Sequence, residues 1–522
     1  MKKLIKLTFA LMIALSLVQC TSDFEKINTN PEGISDESLT QMNNHIGGSF
    51  TPMFLYVMNV TSGYQTQQNL IGDVYSGYMS SPTPFLGNVN NMTYSLVDGW
   101  NGEPWSKAYE EVMPFALDIK NTVTNTGDAT AFIFIHLANI IKVTAMHRVS
   151  DIYGPIRYSK YDDIDTTGEY DSQEVAYTAF FTDLGEAIDA LEEFKSDVRF
   201  TDFDMSSLEG DISLWRAFAN SLRLRLALRI VKINPTLAKT QGELALASNA
   251  GFLETDMFIN SGFPHPLTYI SGTWGDIRMG AEMESVLTGY NDGRLEHYFN
   301  PAEDTSLGSF YKGIRMGIAI VSKTEYVAHS SIGSVVDGET MQWMSAAEVD
   351  FLQAESALRA WTGAGSAATH YTNGVTTSFT QHGVADVASY LADDTSTPAN
   401  FVDALNKANN IAYASDVKIA YNASGTNEEQ LEQIITQKWI AMFPDGQEAW
   451  SEFRRTGYPR IFPVIVNNSG GKIDTDIQIR RINFVVSERN TNAANVNIAI
   501  GYLGGDDTGG TRLWWDIAGG NF

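Results

Sequence analysis

Apolar residues recur every three to four positions along most of this chain, the spacing of one buried helix face. Residues 131–146 form a long apolar run with that period. In 172–194 the stripe is Val175, Tyr177, Phe181, Leu184, Ile188 and Leu191. In 215–230 it is Trp215, Phe218, Leu222, Leu226 and Ile230, with Arg223, Arg225 and Arg229 between. Residues 346–361 and 367–379 read as a helical pair. Thr426 and Glu429 make a capping box that opens a helix over 428–443. A further helix, 447–456, stops at Gly457, with Pro459 just beyond.

Between these elements lie polar stretches of weak periodicity, 64–100, 252–278 and 305–336. They are rich in Gly, Asn, Tyr and Pro and read as long loops, which usually carry function. The last sixty residues are Gly/Asn-rich, with a short strand-like piece at 484–486. Several helix pairs of about 34 residues carry small and aromatic side chains at helical spacing, as Ala347, Ala354 and Ala357 do beside Tyr371 and Gly374. This texture resembles degenerate tetratricopeptide units, whose helices approach closely. The expected fold is mainly α, a tetratricopeptide-like scaffold of helical hairpins with an irregular, loop-rich face.

Composition narrows the function. The chain has 522 residues and a net charge of −27 from 35 Lys+Arg and 62 Asp+Glu. Such an acidic surface repels phosphate backbones, so no nucleic-acid partner is expected, whereas neutral sugars and peptides meet no such barrier. Ten Trp and 22 Tyr suit surfaces that stack on sugars or grip peptides, although core packing accounts for most of them. Cys20 is the single cysteine. It follows a basic start (Lys2, Lys3, Lys6) and the apolar stretch 7–18, too short to span a bilayer comfortably. Leu17-Val18-Gln19-Cys20 resembles the cleavage box of bacterial lipoproteins, in which the cysteine is acylated and becomes the new N-terminus. Residues 1–19 are then a lipoprotein signal peptide, 20–38 a lipidated tether with turn signals at Asn30-Pro31 and Glu32-Gly33, and 39–522 a single domain.

Several segments together are similar to the SusD/RagB family of nutrient-binding outer-membrane lipoproteins. They are Phe24-Glu25-Lys26-Ile27-Asn28-Thr29-Asn30-Pro31, Asp151-Ile152-Tyr153-Gly154-Pro155-Ile156, Tyr170-Asp171-Ser172-Gln173-Glu174, and Gly210-Asp211 leading to Trp215 and Ala219-Asn220-Ser221-Leu222-Arg223-Leu224-Arg225. Ala347-Glu348-Val349, Ala354-Glu355, Gln437-Lys438-Trp439-Ile440-Ala441, Glu448-Ala449-Trp450, Arg454-Arg455-Thr456-Gly457-Tyr458-Pro459 and Arg480-Arg481 before Glu488 complete the set. Pro155 stands where an Asp is commoner, and Arg157 replaces a later Pro. The resemblance implies a tetratricopeptide-like protein on the outer leaflet of the outer membrane. It further implies a SusC-like TonB-dependent transporter as partner, which receives oligosaccharide or peptide from it. The motif charges also have a plain structural reading. Glu348 and Glu355 share one helix face, Glu355 and Arg359 are an i,i+4 pair, and Arg454 and Arg455 with Glu448 and Glu452 can tie helix ends together.

No catalytic residues are expected. The chain has no His-Glu-x-x-His helix and no Gly-x-Ser-x-Gly elbow, and Ser415-x-x-Lys418 lacks its companion motifs. No cofactor is expected either, with one place where calcium could sit. Residues 163–174 follow the twelve-residue calcium-loop pattern through Asp163, Asp165, Gly168, Glu169, Asp171 and Glu174, with Thr167 departing at the fifth position and no incoming helix. The other reading is that Asp171 caps the next helix and Glu174 closes a capping box. Ligand binding is assigned to loop aromatics and their polar neighbours: Tyr64, Tyr75, Tyr78, Asn90, Tyr94, Asp98 and Trp100 in the first loop region, Tyr269 and Trp274 in the second. Asn91 is a further polar candidate, while Trp105, Trp439, Trp450, Trp514 and Trp515 read as packing residues. The expected function is surface nutrient binding without catalysis. A secreted hydrolase and a purely structural scaffold are the alternatives, distinguished by turnover of a ligand and by exclusively protein partners.

Overall fold

The computed structural model describes Met1 and residues 43–163, 168–308 and 310–522. The chain divides into two units, Met1–Gly48 and Ser49–Phe522. In the first, a helical turn covers Asn44–Gly47. Cys20, the signal segment and the tether lie outside the described residues.

The second unit is mainly helical. Its principal helices are α1 (Phe50–Val57), α2 (Met113–Thr126), α3 (Phe132–Tyr153), α4 (Gln173–Ala190), α5 (Ile212–Arg229), α6 (Pro235–Leu246), α7 (Ala281–Gly289), α8 (Ala346–Leu358), α9 (Ala367–Gln381), α10 (Asn427–Ala441), α11 (Gly446–Thr456) and α12 (Ala493–Leu503). Neighbours in sequence pack as pairs: α2 on α3, α3 on α4, α5 on α6 and α8 on α9, with α10 closing on α8. The paired-helix scaffold read from the small-residue texture is therefore present. Gly374 of α9 shows the reason, since a Cβ there would stand 2.8 Å from the Phe351 ring of α8. Helix starts are fixed by side-chain caps. Ser172 accepts from Val175 N–H, Asp211 from Ser213 and Leu214 N–H, and Ser345 from Glu348 N–H. The capping box between Thr426 and Glu429 is formed as expected.

Strands are short. β1 (Met79–Ser80), β2 (Met257–Asn260), β3 (Arg278–Met279) and β4 (Thr340–Met344) make two antiparallel pairs, β1 with β3 and β2 with β4, with Ile259 opposite Met341. Residues 484–486, read as strand-like, carry no strand. Helices Val486–Thr491 and α12 follow instead, and Ile498 at 55% exposed shows why the pattern was faint. A half-exposed helix carries no clean apolar stripe.

The core has an apolar and an ionic part. Phe50, Phe54, Phe200, Trp215 and Trp343 interlock, with Phe50 and Phe200 centroids 4.8 Å apart and Phe54 stacked on Trp343 at 5.8 Å. Each such buried side chain contributes about 1.5–3 kcal/mol. Beside it, the family motif charges form a buried network. Arg225 (α5) grips Glu348 (α8) bidentately at 2.6 and 2.8 Å. Arg229 binds Glu448 and Glu452 of α11, and Asp151 at the end of α3. Arg455 spans Glu355 and Glu452 at 2.6 Å each, and Lys438 lies 3.3–3.7 Å from Glu348, Glu448 and Glu452. With Arg359 on Glu355, five cations face five anions across five helices. Charge neutrality and shared hydrogen bonds are what make such burial tolerable.

Candidate functional site

The nine ligand candidates divide by burial. Tyr64, Tyr75, Tyr78, Asn90 and Tyr94 are interior, not loop-surface, residues. Tyr75 packs on Trp450 at 5.1 Å, and its hydroxyl donates to Asn91 O. Tyr78 lies between Trp439 and Phe443 and donates to Trp439 O. Tyr64 meets the edge of His265. The expected loop over 64–100 begins as a π-helix, Gln65–Asp73, followed by β1. Its i→i+5 turn blurs the 3.6-residue signal, and its tight seat on α11 accompanies burial of residues 67–73. A Cβ on Gly72 would lie 2.6 Å from Gln447 Cα.

Asn90 and Asn91 build the loop from inside. Asn90 donates to Phe85 O at 2.7 Å and caps the 3₁₀ turn Asn91–Thr93. Asn91 donates to Leu70 O and Asn101 Oδ1 and accepts from Val97 N–H. These bonds satisfy backbone groups that a helix-free segment would leave unpaired. They also hold out a turn in which Leu86, Gly87 and Asn88 all have positive φ, so that Leu86 is 64% exposed. Consecutive left-handed residues are costly, and such strain clusters at ligand sites.

Asp98, Trp100, Tyr269 and Trp274 stay accessible. Trp100, in the short helix Asp98–Asn101, is edge-on to Phe85 at 5.3 Å. Tyr269, in the π-helix Thr268–Thr273, is edge-on to Trp274 at 5.1 Å, and Trp274 is 40% exposed. Asp276 joins the two loops. Its carboxylate accepts from Thr83 Oγ1 at 2.7 Å, from Lys323 Nζ at 2.7 Å and from Gln65 Nε2 at 3.3 Å. Lys323 also donates to Trp274 O, and Asn88 Nδ2 to Ile320 O. Both aromatic pairs therefore sit on adjacent, cross-tied loops, with Val321 (86% exposed) and Leu86 as apolar neighbours. Asp98 is on the same stretch, its carboxylate 60% exposed and 3.1 Å from Arg489. Partial burial raises the Tyr269 hydroxyl above its ordinary pKa, so it stays a neutral donor. Sequence reasoning missed Phe85, Leu86, Asp276 and Lys323. The signal for the first two was an apolar pair set between Pro84 and Gly87 in a polar stretch.

The surface offers flat rings and hydroxyl-matched polar atoms. Sugar C–H faces stack on such rings. The two carboxyls that burial lifts to about 7, Asp73 and Glu282, are sealed in the interior. The packing reading holds for Trp105, Trp439, Trp450 and Trp515, all buried, while Trp514 is half-buried against Tyr177. In the calcium-like stretch, residues 164–167 lie outside the described residues. The described part uses Asp171 to accept from Tyr158 N–H, Ser159 N–H and Ser159 Oγ, while Glu169 pairs with Lys160 at 2.6 Å. Ser172, not Asp171, caps α4. Among the described residues no group of three or more His, Cys, Asp or Glu is placed to hold a metal ion.

Solved structures of similar fold and sequence place this geometry in context. A chitin-binding SusD homologue from Flavobacterium johnsoniae is 45% identical, with TM-score 0.88, covering 92% of this chain and 100% of its own. SusD homologues from Bacteroides vulgatus and Bacteroides uniformis are 36% and 33% identical, each with TM-score 0.83. They cover 90% and 91% of this chain and 98% and 99% of their own. No curated protein matches. The SusD-like family, described as Susd and RagB outer membrane lipoprotein, matches residues 26–516. Helical fold, motif charges turned into a buried network, and this match over nearly the whole length together assign the chain to the SusD-like family of outer-membrane lipoproteins.

Proposed function

We propose that the protein is a cell-surface glycan binder, anchored through acylated Cys20, that passes neutral oligosaccharide to a SusC-like TonB-dependent transporter without cutting it. The carrying observation is the cross-tied aromatic face, with Trp274 40% exposed beside Tyr269 and Trp100 beside Phe85. Rings held by neighbouring edges and by the Asp276 bridge are set before ligand arrives, which lowers the cost of ordering them. Kinship to a chitin-binding homologue at 45% identity makes β-linked N-acetylglucosamine oligomers the first ligands to test. The acidic surface repels anionic polymers, which favours neutral glycans further. A non-catalytic role accords with Asp73 and Glu282, the two carboxyls raised to about 7, lying in the core.

Calorimetric titration with chitin oligosaccharides tests the reading. Trp274→Ala or Trp100→Ala is expected to weaken binding about tenfold or more, the range of a Trp anchor at an interface. Unchanged affinity in both variants, or hydrolysis of the oligosaccharide by the purified protein, would refute it.

A further inference from the structure

A second cleft, of about 320 Å³, is enclosed by β2, β4, the end of α9 and the loop entering the Thr268–Thr273 π-helix. Phe258, Val335 and Pro444 form apolar walls. The polar lining includes His265, His297, His382, Gln381, Gln342 and Asp337, with Thr340 and Ser334 beside them. The hydrogen bonds these groups already make decide what they have left. His265 Nδ1 accepts from Leu267 N–H at 3.2 Å, and burial pushes the ring pKa down to about 3. The neutral ring therefore carries its proton on Nε2, as a donor facing the cleft lining. Tyr298 gives its single hydroxyl proton to Ile440 O at 3.0 Å, so its oxygen accepts from His382 Nε2 at 3.3 Å. Burial pushes His382 down to about 4, which leaves its Nδ1 a bare acceptor. Gln381 Nε2 donates to Gln342 Oε1 at 2.8 Å, while Gln381 Oε1 is shielded from solvent and has no partner.

A solvent-shielded acceptor without a partner, as Gln381 Oε1 is, is uncommon in a native protein and asks for a reason. The lining groups mix donor and acceptor roles, with one carboxyl at Asp337 and a third imidazole at His297. That pattern matches a small neutral molecule bearing several hydroxyls, which both gives and takes hydrogen bonds. The volume is at the low end for ligand pockets, the size of one ring and not a chain. We propose that this cleft is a second binding site, distinct from the aromatic face, that takes a single free monosaccharide.

Saturation-transfer NMR titrations of the purified protein with N-acetylglucosamine, and separately with glucose, test this. One or both sugars should bind saturably to the wild type and to Trp274→Ala alike. His382→Phe and Gln381→Leu should each weaken that binding tenfold or more. Thr340→Val, at an exposed position lining the same cleft, should weaken it several-fold and keeps the test open if either of the other variants fails to fold. No saturable binding of either sugar up to about 50 mM, far weaker than the millimolar range of specific sites, overturns the proposal. So does binding that survives the folded cleft variants, or that Trp274→Ala abolishes. Failure of oligosaccharide binding at the aromatic face leaves these outcomes readable, since the probes and variants differ.

Discussion

Glu448 lies fully inside the protein, where an isolated carboxylate would take up a proton. Burial pushes its pKa up, yet Arg229, Arg225 and Lys438 outweigh that and hold it at about 2. Glu452 is lowered by Arg455, Lys438 and Arg229, and Glu355 by Arg455 and Arg359, in spite of their burial. These groups contribute stability above the ordinary glutamate pKa, and it is lost as pH falls from about 4.5 toward about 2. Asp73 and Glu282 act in the opposite sense. Burial raises both to about 7, so they weaken the fold progressively as pH rises from about 4 through about 7. Two outcomes follow. Glu448→Gln strands its cations and should cost about 3–5 kcal/mol in urea unfolding at neutral pH. Asp73→Asn should raise Tm at pH 8 by about 2 °C or more while leaving it unchanged at pH 4. An unaltered pH profile of Tm in Asp73→Asn would contradict the assignment.

Among elements, the close contacts between helices set the limits. The Gln65–Asp73 π-helix lies so near α11 that glycine is required on both sides, at Gly72 and at Gly446, where a Cβ would stand 2.3 Å from Asp73 Oδ1. Gly72→Ala must push the backbone of α11, and should cost about 1–3 kcal/mol as an overpacked contact. Denaturant titration with far-ultraviolet dichroism checks this. The neighbouring exposed position Gly87, with nothing within 4 Å of an added Cβ, is the steric control, although its φ of 65° carries backbone strain of its own. Because α11 also carries Glu448 and Glu452, a shift there perturbs the ionic core as well. The helices were legible from spacing, and one start from the Thr426–Glu429 box, whereas the cap of α4 proved to be Ser172 and not Asp171. The π-helices were not, because their wider turn moves apolar side chains off the expected stripe and leaves a segment that reads as polar loop.

For the whole molecule, the described residues show a helical scaffold, while the proposed ligand face and the proposed anchor at Cys20 each need their own test. Cys20→Ala should move the protein from the membrane pellet to the soluble fraction of its native host, since in the proposed anchor that one residue would carry the acyl chains. Retention in the pellet would show another means of attachment. With a net charge of −27, the released protein should remain soluble and leave nucleic acid unbound.

The sequence by itself determined the helical class, most helix starts and stops, the family and the Glu355–Arg359 pair, whereas Arg454 donates to the Asp151 and Arg480 carbonyls and not to Glu448 or Glu452. All of these depend on local spacing or on a few residue types in fixed order. It also placed Trp100, Tyr269 and Trp274 among the ligand candidates, alongside five residues that proved to be core. Only the tertiary structure separated the two groups. A tyrosine in a Gly/Asn-rich stretch has the same local signature whether it faces water or a distant helix. Tyr75 and Tyr78 are buried by Trp450 and Trp439, more than 350 residues further on. Burial is a property of such long-range contacts, and no local pattern of residues carries it.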